Sequence, residues 1–152
     1  MIRLLPAFCL LLLALAPARA GTAQADPKAV ARIEGGIVDC PGCQLQGANL
    51  MNTCVKTKDL HGANFDGANA TLMCMSFANF KGASFRATNL DAANLSSAKL
   101  DGADLTGAST HITSFLGTDL THVKGLTQAQ LDVACGDAKT KVPHGFKVHV
   151  CG

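Results

Sequence analysis

Residues 43–122, cut into fives, read CQLQG ANLMN TCVKT KDLHG ANFDG ANATL MCMSF ANFKG ASFRA TNLDA ANLSS AKLDG ADLTG ASTHI TSFLG TDLTH. Sixteen units follow one another without an insertion. The third position is almost always large and apolar, as at Leu45, Leu50, Phe65, Phe80, Phe85, Leu95 and Leu120, and the first is mostly Ala or Thr. Gly47, Gly62, Gly67, Gly82, Gly102, Gly107 and Gly117 all fall on the fifth. Self-similarity at a fixed period outranks any local propensity.

A five-residue period rules out the two ordinary elements. At about 100° per residue, each unit would carry the apolar spot roughly 140° around a helix and smear it over the cylinder. In a flat strand the first and third positions share a face, but five is odd, so the next unit would point its apolar pair the other way. A chain that turns a corner once per unit keeps both positions aimed at a common axis. The fourth and fifth positions, rich in glycine, have the composition of that corner.

The units ANL at 48–50, ANF at 63–65, ANF at 78–80, ANL at 93–95 and ADL at 103–105 resemble the A-(D/N)-L-x-x pattern of the pentapeptide-repeat family. The resemblance implies an all-β fold: a right-handed quadrilateral β-helix in which four units close one turn, giving about four coils over residues 43–122. Residues twenty apart then stack at about 4.8 Å. Leu45, Phe65, Phe85 and Leu105 form one column, Leu60, Phe80, Leu100 and Leu120 another, and Asn49, Asn69 and Asn89 an outward ladder. The remaining face, with TCVKT, MCMSF, ANLSS and TSFLG, is irregular. Cys54 and Cys74 share its column at a spacing a disulfide accepts, and are expected to be bonded. Met73 stands where a small residue belongs and Ala70 where a large one does, an exchange of bulk between neighbours.

Outside the repeats, Arg3, the apolar run Leu4–Leu15 and the small-x-small site Ala18-Arg19-Ala20 read as a signal peptide over residues 1–20, cleaved after Ala20. The run is too short to span a bilayer, and no membrane span is expected after cleavage. Without Arg3 and Arg19 the 13 basic side chains become 11, against 11 acidic ones. A formally neutral chain offers no field to attract nucleic acid or anionic lipid. Six cysteines remain of the 7: Cys40, Cys43, Cys54, Cys74, Cys135 and Cys151. An even count in an exported chain reads as a disulfide framework, and the expected location is periplasmic or secreted.

Repeat stacks need capped ends. In the N-terminal segment, residues 21–42, Asp26-Pro27 begins a helix expected over about 27–34 and stopped by Gly35-Gly36. Cys40-Pro41-Gly42-Cys43 is open to three readings, a structural bond, a redox pair or a zinc half-site; no His follows to make a haem site. In the C-terminal segment, residues 123–152, Thr127 and Gln130 have capping-box spacing and predict a helix over about 128–135. Phe146, Val148 and Val150 alternate with Lys147 and His149 as in a half-buried strand. The tail resembles that of exported bacterial pentapeptide-repeat proteins, in which Cys135 and Cys151 would join helix to strand.

No catalytic constellation emerges. His61 and His111 fall at solvent-facing fourth positions, and Cys135, His144, His149 and Cys151 match no zinc-finger spacing. Asp59, Asp66, Asp91, Asp101, Asp104 and Asp119 occupy outward second or fourth positions, Asp91 one coil below His111 as a surface pair. Neither a nucleophile elbow nor a phosphate loop is present. Neither cofactor nor metal is expected. Leu72, Phe77 and Ile112 at fifth positions and Met51 and Leu116 at fourth ones, with Met73, break the pattern with apolar side chains at or beside corners: either local repacking or a frame slip near Ala70, or an exposed patch, centred on Leu72, Met73, Phe77 and Ile112, for a protein partner or self-association. The expected role is a non-catalytic exported structural or protein-interaction module of bacterial type. The alternatives are a thiol-redox or metal-handling protein using Cys40 and Cys43 and, from relatives that imitate DNA, a topoisomerase-binding protein, which the export signal and neutral charge oppose.

Overall fold

The computed structural model describes residues 24–36 and 39–151. The expected signal peptide, residues 1–20, lies outside the described residues. Parallel β-bridges join Gln44 to Asn64, Asn49 to Asn69, Cys54 to Cys74 and Asp59 to Asn79, each across twenty residues or four five-residue units. Repetition of these contacts makes four ladders. Ladder A runs through Gln44, Asn64, Ser84, Asp104 and Lys124; ladder B through Asn49, Asn69, Asn89 and Ser109; ladder C through Cys54, Cys74, Asn94, Ser114 and Cys135; ladder D holds Asp59, Asn79 and Lys99, then Asp119 and Lys141. The rungs are isolated bridges, because the chain turns before a strand can lengthen.

One unit shows why the pattern is A-(D/N)-L-x-x. In ANFDG at 63–67, the Ala63 N–H donates to Leu60 O (3.1 Å), closing the preceding corner, and the Asn64 N–H donates to Cys43 O in the coil below (2.8 Å). The N–H groups of Phe65 and Gly67 donate upward to Ser84 O (2.7 Å) and Arg86 O (2.8 Å). That leaves the fourth, on Asp66, which donates to the Asn64 side-chain oxygen at 2.9 Å. All five N–H groups are satisfied, and the second position is Asn or Asp because a short side-chain acceptor is needed there.

Third-position side chains fill the interior. Phe65 and Phe85 stack with centroids 4.8 Å apart, and Phe80 meets both edge-on at 5.7 and 5.2 Å. Threonines at first positions are buried, yet satisfied: Thr88, Thr113 and Thr118 donate to the carbonyls of Phe65, Leu90 and Leu95 in the coil below, at 2.7 to 2.8 Å. Met73 and Ala70 are both fully buried. The bridges Asn49–Asn69 and Asn69–Asn89 keep their twenty-residue step, so no frame slip occurs near Ala70. Met73 therefore leaves the candidate surface patch, because Ala70 vacates interior volume that Met73 fills.

Both ends extend the ladders beyond the repeats. At the lower end the Asp26 N–H donates to Gln44 O and the Cys40 N–H to Asp59 O, so residues 25–26 and 39–42 act as rungs beneath ladders A and D. Helix α1, Pro27–Glu34, lies between them, capped by the Asp26 side chain and burying Ala29 and Ile33. At the upper end Gly125, at φ +67°, crosses Thr106 so closely that a Cβ there would lie 2.7 Å from the Thr106 Cα. Helix α2 follows, Gln128–Asp132, with the Thr127–Gln130 capping box in place. It ends short of the expected 135, since Val133 and Cys135 are claimed by ladder bonds: Val133 O accepts from Ile112 N and Cys135 O from Phe115 N, both at 2.7 Å. The expected tail strand does not form. Lys141 instead adds a rung above Asp119, Val150 makes one bridge to Gly136, and the Val150 side chain is 63% exposed.

A candidate interaction face along ladder C

The four ladders differ in what they turn outward. Ladder D and its corner are charged. Lys81 and His122 both approach Asp101, at 3.1 and 3.4 Å, and Lys141 approaches Asp119 at 3.2 Å. A cavity of about 350 Å³ opens there beside Lys99, Asp101, Asp119 and His122. Its carboxylates are already engaged, and Asp119 is held down to about 2, chiefly by the Thr121 hydroxyl and N–H. The same Asx-turn bonding lowers Asp104, through Thr106. Asp59 is lowered by bonds from His61 and Asp137 by the Gly117 N–H. These carboxylates anchor corners, accepting backbone N–H groups and, at Asp104, Asp119 and Asp137, a neighbouring threonine hydroxyl.

Ladder C carries neutral groups: Cys54, Cys74, Asn94, Ser114 and Cys135. The structure bonds Cys54 to Cys74 across adjacent rungs with α-carbons 4.6 Å apart, and Cys135 to Cys151 with α-carbons 5.4 Å apart. Cys40 and Cys43 are bonded to each other beneath the repeats, only 1% and 9% exposed. Pairing of Cys135 with Cys151 takes both sulfurs away from His144 and His149.

Every exposed large apolar side chain among the described residues lies along ladder C or its borders. Leu72 (54% exposed) and Ile112 (58%) stand at the corner leading into it, with Met51 and Val133 one residue outside. Phe77 (57%) and Leu116 stand at the corner leading out, and Val150 caps Gly136 above. Leu72, Phe77 and Ile112 have φ of 59°, 60° and 57°, in the left-handed region where glycine is favoured. Each is thus unfavourable twice, in backbone conformation and in exposure. From the frame alone Leu72, Phe77 and Ile112 stand out at fifth positions and Met51 and Leu116 at fourth ones; Val133 and Val150 join them only once the coils are stacked.

Asp91 and His111 meet differently from the expected side-chain pair. Asp91 Oδ1 accepts the His111 backbone N–H at 3.0 Å and the Ser109 hydroxyl as well, which turns this carboxylate onto ladder B.

Coils bridged at twenty-residue intervals around an apolar interior define a β-helical repeat protein. The family model described as pentapeptide repeats (8 copies) matches residues 74–109, and these units belong to the pentapeptide-repeat family. Among solved structures, the chain is similar to the pentapeptide-repeat protein Rfr23 from the cyanobacterium Cyanothece 51142, with 27% identity, TM-score 0.53 and coverage of 68% of this chain and 67% of that one. It is also similar to HetL, a pentapeptide-repeat protein involved in heterocyst differentiation regulation in Nostoc sp. strain PCC 7120 (21% identity, TM-score 0.48, 69% of this chain and 55% of that one). Among curated proteins, none matches.

Proposed function

We propose that the protein is a non-catalytic, exported structural or protein-interaction module that uses the ladder C face for contact with protein. Its solenoid is read as a right-handed, four-sided β-helix of about four coils over residues 43–122, between the helical N-terminal segment 21–42 and the C-terminal cap 123–152. The observation that carries the reading is the gathering of all exposed large apolar side chains of the described residues on one face. Apolar surface of that extent is costly in water and marks a contact site. Export after cleavage at Ala20, to the periplasm or beyond, is supported by six cysteines in three bonds, since such bonds persist in oxidising compartments. Thiol-redox chemistry at Cys40 and Cys43 is disfavoured by their burial, because exchange requires an accessible sulfur. No helix among the described residues is long and apolar enough to cross a membrane.

The test places a photo-crosslinking residue at position 77 and, as a control, at Lys81 on the charged side, in the native envelope. Protein adducts at position 77 alone are expected. Equal labelling at both positions, or none at 77, overturns the reading.

A further inference from the structure

We propose that the ladder C face pairs with the same face of a second copy, the two solenoids running antiparallel. The inference rests on the interaction reading above and specifies its partner.

Backbone bonds order each border of the face by rung. Asn52 N donates to Thr71 O, Leu72 N to Asp91 O, Ala92 N to His111 O and Ile112 N to Val133 O. Each rung of this border is a corner of two residues, and the apolar member of each reads, from bottom to top, Met51, Leu72, Ala92, Ile112, Val133. On the leaving border Thr57 N donates to Ser76 O, Phe77 N to Ser96 O and Ser97 N to Leu116 O, and Gly117 N donates to the Asp137 carboxylate at 2.9 Å. Taking the larger member of each corner, and Ser97 of the serine pair 96–97, that border reads Lys56, Phe77, Ser97, Leu116, Asp137.

Both series are palindromes in chemical character. A two-fold axis lying in the face, perpendicular to the solenoid and level with Ala92 and Ser97, keeps each border opposite itself and reverses the rung order. Met51 then meets Val133, Leu72 meets Ile112, and Phe77 meets Leu116, while small Ala92 and Ser97 let the copies close at the axis. Lys56 meets Asp137 at both ends of the contact. Lys56 and Asp137 are the two charged side chains of the leaving border and they are of opposite sign, so the reversal converts them into two complementary pairs. A parallel arrangement would set Lys56 against the Met51 border. Asp91, level with the axis, has Oδ1 engaged within its own chain by the Ser109 hydroxyl and the His111 N–H.

Five rungs at about 4.8 Å and a side of about five residues give a footprint on the order of 500 Å² per copy, below the roughly 800 Å² of a standard stable complex. The expected dimer is weak and depends on concentration.

Sedimentation velocity of the exported, oxidised protein, from micromolar to millimolar, tests this. A reversible monomer–dimer transition is expected. Leu72→Asp and Ile112→Lys should each weaken the dimer by at least about tenfold. Mixing the two variants should restore it, since Asp at 72 then faces Lys at 112 across the axis. Phe77→Asn, which suits the positive φ, should abolish association with the fold intact. A native protein that stays monomeric throughout overturns the inference but leaves the interaction reading to the position 77 crosslink. A dimer indifferent to all three substitutions, or one that mixing fails to restore, overturns it as well.

Discussion

Asp66 Oδ1 accepts the backbone N–H of Arg86, one coil above, at 3.0 Å. It does so where the repeat above carries Ser84 in place of Asn at the second position, and the Ser84 hydroxyl donates to the same oxygen. Asp91 serves Ser109 and His111 in the same way. A missing acceptor in one coil is thus supplied by a carboxylate in the coil beneath.

The relay is testable by rescue. Asp66→Ala leaves the Arg86 N–H without its acceptor and should destabilise the protein by about 1 to 2 kcal/mol in urea denaturation. Ser84→Asn restores the acceptor within the repeat itself. In the Ser84→Asn background, Asp66→Ala should cost about 0.5 kcal/mol or less; an undiminished cost would rule out the relay.

The strained corners make a prediction of opposite sign. Ile112, a β-branched residue at φ 57°, sits in the left-handed region at a cost of about 1 to 2 kcal/mol, part of which glycine returns as chain entropy. Ile112→Gly should raise monomer stability by about 0.5 to 1 kcal/mol, measured at low concentration. Gly67→Ala, at φ 65°, should lower it by about 1 kcal/mol.

Such relations mark the limit of what the sequence discloses. The period of five, the columns and the exchange between Ala70 and Met73 are legible because they follow from side-chain size at fixed spacing. The cross-coil role of Asp66 and Asp91 is not: an aspartate at the fourth position looks like any solvent-facing carboxylate until the Ser84 and Ser109 rungs lie above it. The helix beginning at Gln128 was legible from its capping box. Its end was not, because ladder bonds at Val133 and Cys135, rather than helix propensity, stop it. The apolar tail alternation holds in burial at Phe146 and Val148, which pack against the core, but not as a strand: Val150 reaches the ladder by a single bridge and keeps its side chain outside.

Gln130 seals the upper end. Its Nε2 donates to Leu105 O (2.8 Å) and Ala108 O (3.0 Å), and its Oε1 accepts from Thr127 N (2.8 Å). Gln130→Glu keeps the acceptor but turns an oxygen toward two carbonyls. It should cost as much as Gln130→Ala, about 2 to 3 kcal/mol, with the loss of hydrogen-exchange protection beginning at Leu131 and Ala108. A near-neutral glutamate would show that the two donated bonds contribute little.

Acid should loosen the corners in a defined window. Asp119 is lowered from 3.8 to about 2 in the fold, so its ionised form is favoured there. Its contribution is complete above the unfolded value and is lost as pH falls through the folded one. Urea midpoints should hold from neutral pH to about 5 and decline mainly between about 4 and 2. Asp104, lowered by Thr106, acts with the same sign. Asp119→Asn, whose amide oxygen can still accept from Thr121, should show a shallower decline. An identical acid profile would exclude Asp119 as a contributor.

The disulfide of ladder C replaces two Asx turns. Cys54 and Cys74 occupy second positions, where Asn or Asp would accept the N–H of Lys56 and Ser76. The bond closes a loop of twenty residues, worth about 3 kcal/mol in the chain-entropy model. Replacing both cysteines by alanine removes the cross-link and supplies no acceptor, and should cost about 3 kcal/mol. Replacement of both by asparagine also removes the cross-link but provides two side-chain acceptors and extends the Asn94 column downward. That variant should recover about 1 to 2 kcal/mol of the loss. If the asparagine and alanine pairs are equally unstable, the fourth-position N–H groups on this face need no protein acceptor, and the case for Cys54–Cys74 as a substitute for the Asx turn fails.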